Sequence, residues 1–179
     1  EQQDFSATGY DSQGNPLVET SAYNLLGHSL YSLSADAGER WMLNNVAGNP
    51  IRGWNSRGYV TRMQYDELQR PTHLYMRQDD GPETLAERTV YGDDHPEALP
   101  RNLKGQIFQQ FDSAGVVTTW AVDFKGNPLR TSRQLTRDYR QQANWAAVAE
   151  LTAADPAQLV AAAAPLLEPR VYDALASFD

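Results

Sequence analysis

Cysteine is absent from all 179 residues. That excludes a disulfide scaffold, thiol catalysis and a thiolate metal site, and it is silent on compartment. No apolar run approaches the roughly 18 residues that a membrane-spanning helix needs. Basic side chains are few, 15 against 23 acidic ones, for a formal net charge of −8 and a pI near 4.8. A nucleic-acid binder needs a basic stripe to neutralise phosphates, so nucleic acid is not expected as a partner. Catalytic signatures are missing as well: there is no G-x-S-x-G elbow, P-loop, G-x-G-x-x-G or H-E-x-x-H. His28, His73 and His95 lie at no metal-ligand spacing. The opening Glu1-Gln2-Gln3-Asp4 has no initiator methionine and no charged-then-apolar signal pattern. The expectation is therefore a processed or excised segment. Apolar residues make up 41%, enough for a core.

What the chain does have is a comb of glycines. They fall at 9, 14, 27, 38, 48, 53, 58, 81, 92, 105, 115 and 126, and none follows Gly126. Leaving out Gly9 and Gly53 and admitting Gln69 to a glycine-like slot gives gaps of 10 to 13 residues. A strand of about 5–6 residues plus a turn takes that much chain, so regular turns at this spacing predict all-β structure.

The residues around the comb repeat too. Tyr10-Asp11-Ser12-Gln13-Gly14-Asn15-Pro16 sets the pattern: an aromatic, Asp or Asn, two variable residues, Gly, a polar residue, often Pro. Tyr23-Asn24-Leu25-Leu26-Gly27, Trp54-Asn55-Ser56-Arg57-Gly58 and Tyr65-Asp66-Glu67-Leu68-Gln69-Arg70-Pro71 follow it. Phe111-Asp112-Ser113-Ala114-Gly115 and Val122-Asp123-Phe124-Lys125-Gly126-Asn127-Pro128 continue it, and Tyr172-Asp173 and Phe178-Asp179 begin it again. Each slot has a physical purpose. Asp or Asn accepts backbone N–H groups two residues on, and Gly supplies positive φ. Proline is tolerated at a strand's first residue. The aromatic packs across to the neighbouring strand. Between turns, Tyr59-Val60-Thr61-Arg62-Met63-Gln64-Tyr65 and Val116-Val117-Thr118-Thr119-Trp120-Ala121-Val122 alternate faces.

These units resemble the YD repeats of RHS (rearrangement hotspot) proteins. Tyr65-Asp66-Glu67-Leu68-Gln69-Arg70-Pro71 comes nearest to that family's pattern of YD, two residues, GR. Tyr23-Asn24-Leu25-Leu26-Gly27, Asp36-Ala37-Gly38-Glu39-Arg40-Trp41, Trp54-Asn55-Ser56-Arg57-Gly58 and Asp123-Phe124-Lys125-Gly126-Asn127 resemble large bacterial RHS proteins of the insecticidal-toxin-complex type. The resemblance covers roughly residues 9–135, with a weaker return at 172–179. It implies a curved antiparallel β-strip that, in a longer protein, spirals into a hollow cocoon around a toxic C-terminal polypeptide. It also implies a secreted setting, with the rest of the shell, the enclosed polypeptide or a second copy at the sheet edges as partners. This sequence is too short to close a cocoon. It lacks the glycine-rich, aspartate-bearing self-cleavage segment of such shells, so no protease activity is carried over.

The expected organisation is a β-strip over 1–135, a helical insertion over 136–170 and the start of a further repeat over 171–179. From Arg133, apolar residues Leu135, Tyr139, Trp145 and Val148 with good helix formers between them predict a helix of about 14 residues. Asp155 as cap and Pro156 at the first position predict a second, of about 9 residues, running into Ala161-Ala162-Ala163-Ala164.

Other chemistry is weaker. Asp93-Asp94-His95 is the best metal candidate, but three residues in a row rarely converge on one ion, and a surface loop is expected. Asp79-Asp80 with Glu83 reads as a solvated turn before a calcium site. Asp11, Asp66, Asp112 and Asp123 occupy one slot in every repeat, which marks them as turn residues and not a glycosidase pair. Arg52, Arg57, Arg62 and Arg70 read as ladder partners for acids. No catalytic residue, metal or cofactor is expected. An alternative is a module that binds carbohydrate or a cell surface through the sheet face and Trp41, Trp54 and Trp120. An enzyme with scattered acids comes third.

Overall fold

The computed structural model describes residues 2–10, 16–34 and 37–175, with backbone only for 2–10 and 16–19. β-Branched and aromatic residues at alternate positions fit a pleated surface. Among the described residues they form twelve strands: β1 Gln2–Tyr10, β2 Pro16–Tyr23, β3 Ser29–Ser34, β4 Gly38–Asn44, β5 Pro50–Asn55, β6 Tyr59–Tyr65, β7 Pro71–Gln78, β8 Thr84–Tyr91, β9 Ile107–Asp112, β10 Gly115–Val122, β11 Pro128–Thr136 and β12 Leu167–Leu175. The chain is mainly β, and its strands are hydrogen-bonded in chain order as an open antiparallel sheet. It divides into two compact units, Glu1–Gln64 with Met76–Glu83, and Tyr65–Tyr75 with Thr84–Asp179.

In the first unit the register sets Tyr31 opposite Trp41 and Trp41 opposite Trp54. The connections between strands are short, so no chain is left over to lay a second layer on the sheet. Ala22 is its only buried residue among those with described side chains. Met42, Leu43 and Trp54 stay well exposed.

The second unit has a core. Neighbours along a strand face opposite ways, yet Phe108 and Phe111 of β9 are both buried, so this sheet is covered on both sides. His95, from the long connection between β8 and β9, meets Phe108 edge-on at 4.7 Å. Trp145, from the segment between β11 and β12, lies 5.1 Å from Phe111. Val148, Ala153, Leu159 and Ala163 of that segment join the same cluster.

The segment holds one helix, α1 Pro156–Ala163. Asp155 caps it by accepting the Gln158 N–H at 2.9 Å, and proline sits in its first turn. The predicted helix from Arg133 does not form. β11 runs on to Thr136 and Tyr139 points to solvent. Asn144 and Trp145 bind the main chain of Leu85 instead, through Oδ1 at 3.2 Å and N at 2.9 Å. Backbone groups engaged with a strand cannot serve a helix, and only a 3-10 turn at Ala146–Val148 remains. Buried Arg88 holds the segment down, donating to the carbonyls of Ala149 at 3.1 Å and Leu151 at 3.0 Å. His73 Nε2 donates to the same Ala149 carbonyl at 2.9 Å.

Candidate functional site

The comb residues build one turn several times over. In each, an Asn or Asp at the first position accepts two backbone N–H groups through Oδ1, from the residues two and four places on. For Asn24 these are Leu26 and His28, both at 2.9 Å. For Asn55 they are Arg57 at 3.0 Å and Tyr59 at 3.1 Å. For Asp66 they are Leu68 at 3.0 Å and Arg70 at 2.9 Å, and for Asp123 they are Lys125 and Asn127, both at 2.8 Å. The fourth residue takes positive φ in all of them: Gly27 at 80°, Gly58 at 80°, Gln69 at 61° and Gly126 at 87°. Glutamine therefore adopts the left-handed conformation in a slot that glycine fills elsewhere, at the usual cost of a Cβ there.

Asn45 makes the same turn with Ala47 and Asn49, both at 2.9 Å, with Gly48 at φ 86°. The aromatic-led pattern leaves it out, since Asn44 precedes it, although Val122 before Asp123 shows that the aromatic is dispensable. Asn45-Val46-Ala47-Gly48-Asn49-Pro50 could have been found by its match to Asp123 through Pro128. Among the described residues this turn residue is Asn in the first unit (24, 45, 55) and Asp in the second (66, 123).

Phe111-Asp112 departs from the scheme. Asp112 Oδ1 accepts from Ala114 at 2.8 Å and Gly115 at 2.9 Å, a tighter turn, and it pairs with Arg133 at 2.7 Å. Its carbonyl takes the Trp145 indole N–H at 3.1 Å, tying the turn to the core. Gly115 has φ 140°, and a Cβ there would stand 2.0 Å from the Gln134 carbonyl oxygen. Tyr172 and Asp173 start no turn; they lie within β12, opposite Arg133 and Ser132. Tyr10 ends β1, while Asp11, Gly14, Phe178 and Asp179 lie outside the described residues.

Several charged side chains pair with one another. Arg70 bridges Asp66 at 2.7 Å and Asp93 at 2.9 Å. Burial pushes the Asp66 carboxyl up, but the Arg70 and Leu68 N–H groups and the Arg70 charge outweigh it and hold it below the ordinary value. Asp123 is lowered by the Asn127 side chain and the turn's N–H groups. Glu83 belongs to an ion pair with Arg62 at 2.7 Å. His95 is not on a surface loop: it is buried against Phe108, its Nδ1 accepts the Glu97 N–H at 3.0 Å, and burial and the Arg101 charge lower its pKa. It is a core histidine because the connection that carries it folds back over the sheet. No group of three metal-capable side chains occurs among the described residues.

The tryptophans part company. Trp41 and Trp54 stack at 6.4 Å and 11°, and Trp54 keeps 40% of its surface exposed. Trp120 donates to Ser132 Oγ at 2.9 Å and packs edge-on to Phe108 at 6.3 Å, so it offers no open platform.

The geometry can be set beside known proteins. No family model matches the chain. It is homologous to toxin subunit YenC2 of Yersinia entomophaga, 30% identical over 130 residues that take in 64% of this chain and 13% of the relative. It shares the fold of TcdB2-TccC3, with a TM-score of 0.69 and 20% identity over 98% of this chain and 10% of that one. The Tc holotoxin pore of Photorhabdus luminescens gives a TM-score of 0.74 and 20% identity over 99% of this chain and 9% of the other. The chain thus spans only about an eighth or less of the length of the proteins it matches.

Proposed function

We propose that this chain is a wall section of an RHS-type toxin shell, contributing to a β-cocoon that encloses a C-terminal toxic polypeptide of a secreted bacterial toxin. The observation that carries the reading is the first unit: a regularly turned sheet with almost nothing buried on either face among its described side chains. A single bare sheet is an incomplete domain, since stable folds pack at least two layers around a core. Such a strip suits a wall whose remaining surfaces are covered or enclosed by further chain. The homology to YenC2 and the fold shared with TcdB2-TccC3 support a toxin-complex setting. The rest of the shell then lies in the rest of a longer polypeptide, and the role needs no catalytic group.

Limited proteolysis of the full-length gene product tests this. Its C-terminal polypeptide should resist cleavage in native buffer and become susceptible in urea at the transition that unfolds this section. A C-terminal polypeptide cleaved freely in the native protein would overturn the reading. The isolated chain should self-associate through its sheet edges in sedimentation velocity, because unpaired edge strands template pairing.

A second reading, carbohydrate recognition, is favoured only by the stacked and half-open Trp54. Binding on a glycan array that disappears in Trp54→Ala would establish it, and a blank array would remove it.

A further inference from the structure

We propose that the second unit contains a binding cavity for a small neutral molecule with an aromatic body and one hydroxyl group, a phenol-class ligand. The cavity lies between the sheet and α1 and has a volume of about 180 Å³. Gln109, Phe111, Thr118 and Trp120 line it from the sheet, Leu159 and Ala163 from the helix.

Its size and chemistry both restrict the occupant. The volume is roughly six times the ~30 Å³ that a water molecule occupies in the liquid, and buried waters need about three hydrogen bonds each. A mostly apolar lining offers too few partners for so many. An apolar cavity of about 150 Å³ accepts benzene, so a single ring fits here. No acidic or basic side chain lines the space, which excludes an ion, since a charge left unpaired in an apolar site is strongly disfavoured.

The hydroxyl is called for by Gln109. This side chain is 3% exposed, and its Nε2 donates to Thr118 Oγ1 at 3.1 Å, while its Oε1 has no protein partner. The other polar side chains are already engaged: Ser132 accepts from Trp120 at 2.9 Å, and Gln134 donates to the Glu168 carbonyl at 2.7 Å. A buried acceptor left alone is costly, and a ligand O–H directed at Gln109 Oε1 would satisfy it. The way in is beside Val160 and Val171, both half exposed where α1 meets β12.

The test is a titration of the chain with para-cresol, toluene and benzoate, followed by methyl NMR of Leu159, Val160 and Ala163. Para-cresol should shift these methyls with a Kd about three- to tenfold lower than that of toluene, the contribution of one net hydrogen bond. Benzoate should shift none of them. Gln109→Leu should bring para-cresol and toluene to equal affinity. Ala163→Leu should abolish both; if that variant loses its near-UV circular dichroism, Val160→Phe at the mouth should do the same. Unmoved methyls with para-cresol, equal affinity for para-cresol and toluene in the unaltered chain, or a preference that survives Gln109→Leu would each overturn the proposal.

Discussion

The two units are built from the same strands and turns, yet among the described side chains one has a core and the other has almost none. What differs is the chain between the strands. The first unit spends only a few residues on each connection, and the sheet is left as a single layer. The second inserts residues 92–106 and 137–166, and these fold back to bury Phe108 on one side and Phe111 on the other. Strand and turn chemistry alone therefore specify a strip. A self-sufficient domain needs the additional segments, because burial supplies the dominant favourable term.

Trp145→Ala should separate the units most widely. This side chain is 0% exposed and anchored to Phe111 and Asp112, so its removal should cost the second unit about 3–5 kcal/mol in urea unfolding. Trp54→Ala, on the open sheet, should cost under about 1 kcal/mol. Equal losses would break the contrast. A narrower comparison lies within the second unit. Gly115→Ala should cost about 2–3 kcal/mol, because the new Cβ meets a backbone carbonyl at 2.0 Å. Gly126→Ala should cost only about 1–2 kcal/mol, the strain of φ 87° alone, since its nearest neighbour is a side-chain atom at 4.0 Å. Thermal denaturation of the pair decides the order.

The smallest effect is the response to acid, and it should belong to the turns of the second unit. Asp66 and Asp123 have lowered folded pKa values, so their contribution is complete above the ordinary value of 3.8 and is lost as pH falls through the folded values. Asn24, Asn45 and Asn55 have no carboxyl to protonate. Hydrogen-exchange protection at Leu68, Arg70, Lys125 and Asn127 should fall below pH 3.8 while that at Leu26, Ala47 and Arg57 holds. His95 acts earlier. Its folded pKa lies below the ordinary 6.5, so the folded core resists the proton and its stabilisation diminishes as pH falls from 6.5 towards the folded value. His95→Gln should flatten the stability profile in that interval.

The strip was legible because its signals are local. An Asx oxygen, a residue at positive φ and a strand-starting proline act within five residues, so a short motif such as Asp123 to Pro128 states its own geometry. Even Gln69 could be placed, because its neighbours fixed the slot. The covering segments were not legible, because their conformation is decided by distant groups. Leu135, Tyr139 and Trp145 have helical spacing, yet one belongs to a strand, one to solvent and one to the core. Leu85, about sixty residues earlier, draws Asn144 and Trp145 away from any helix. His95 looked like a surface residue for the same reason: its burial depends on Phe108, which no local pattern announces.

The sequential strand order also has a consequence for how the molecule is made. Where each strand bonds to the one before it, most contacts close short loops, and such topologies form quickly. The first unit can be laid down hairpin by hairpin as the chain emerges. The second must wait, because two of the carbonyls that Arg88 binds, Ala149 and Leu151, come about sixty residues later, and His73 shares the first of them. Folding thus has an interval between an early strip and a late clasp, during which Phe111 has been made but the segment carrying Trp145, which covers it, has not.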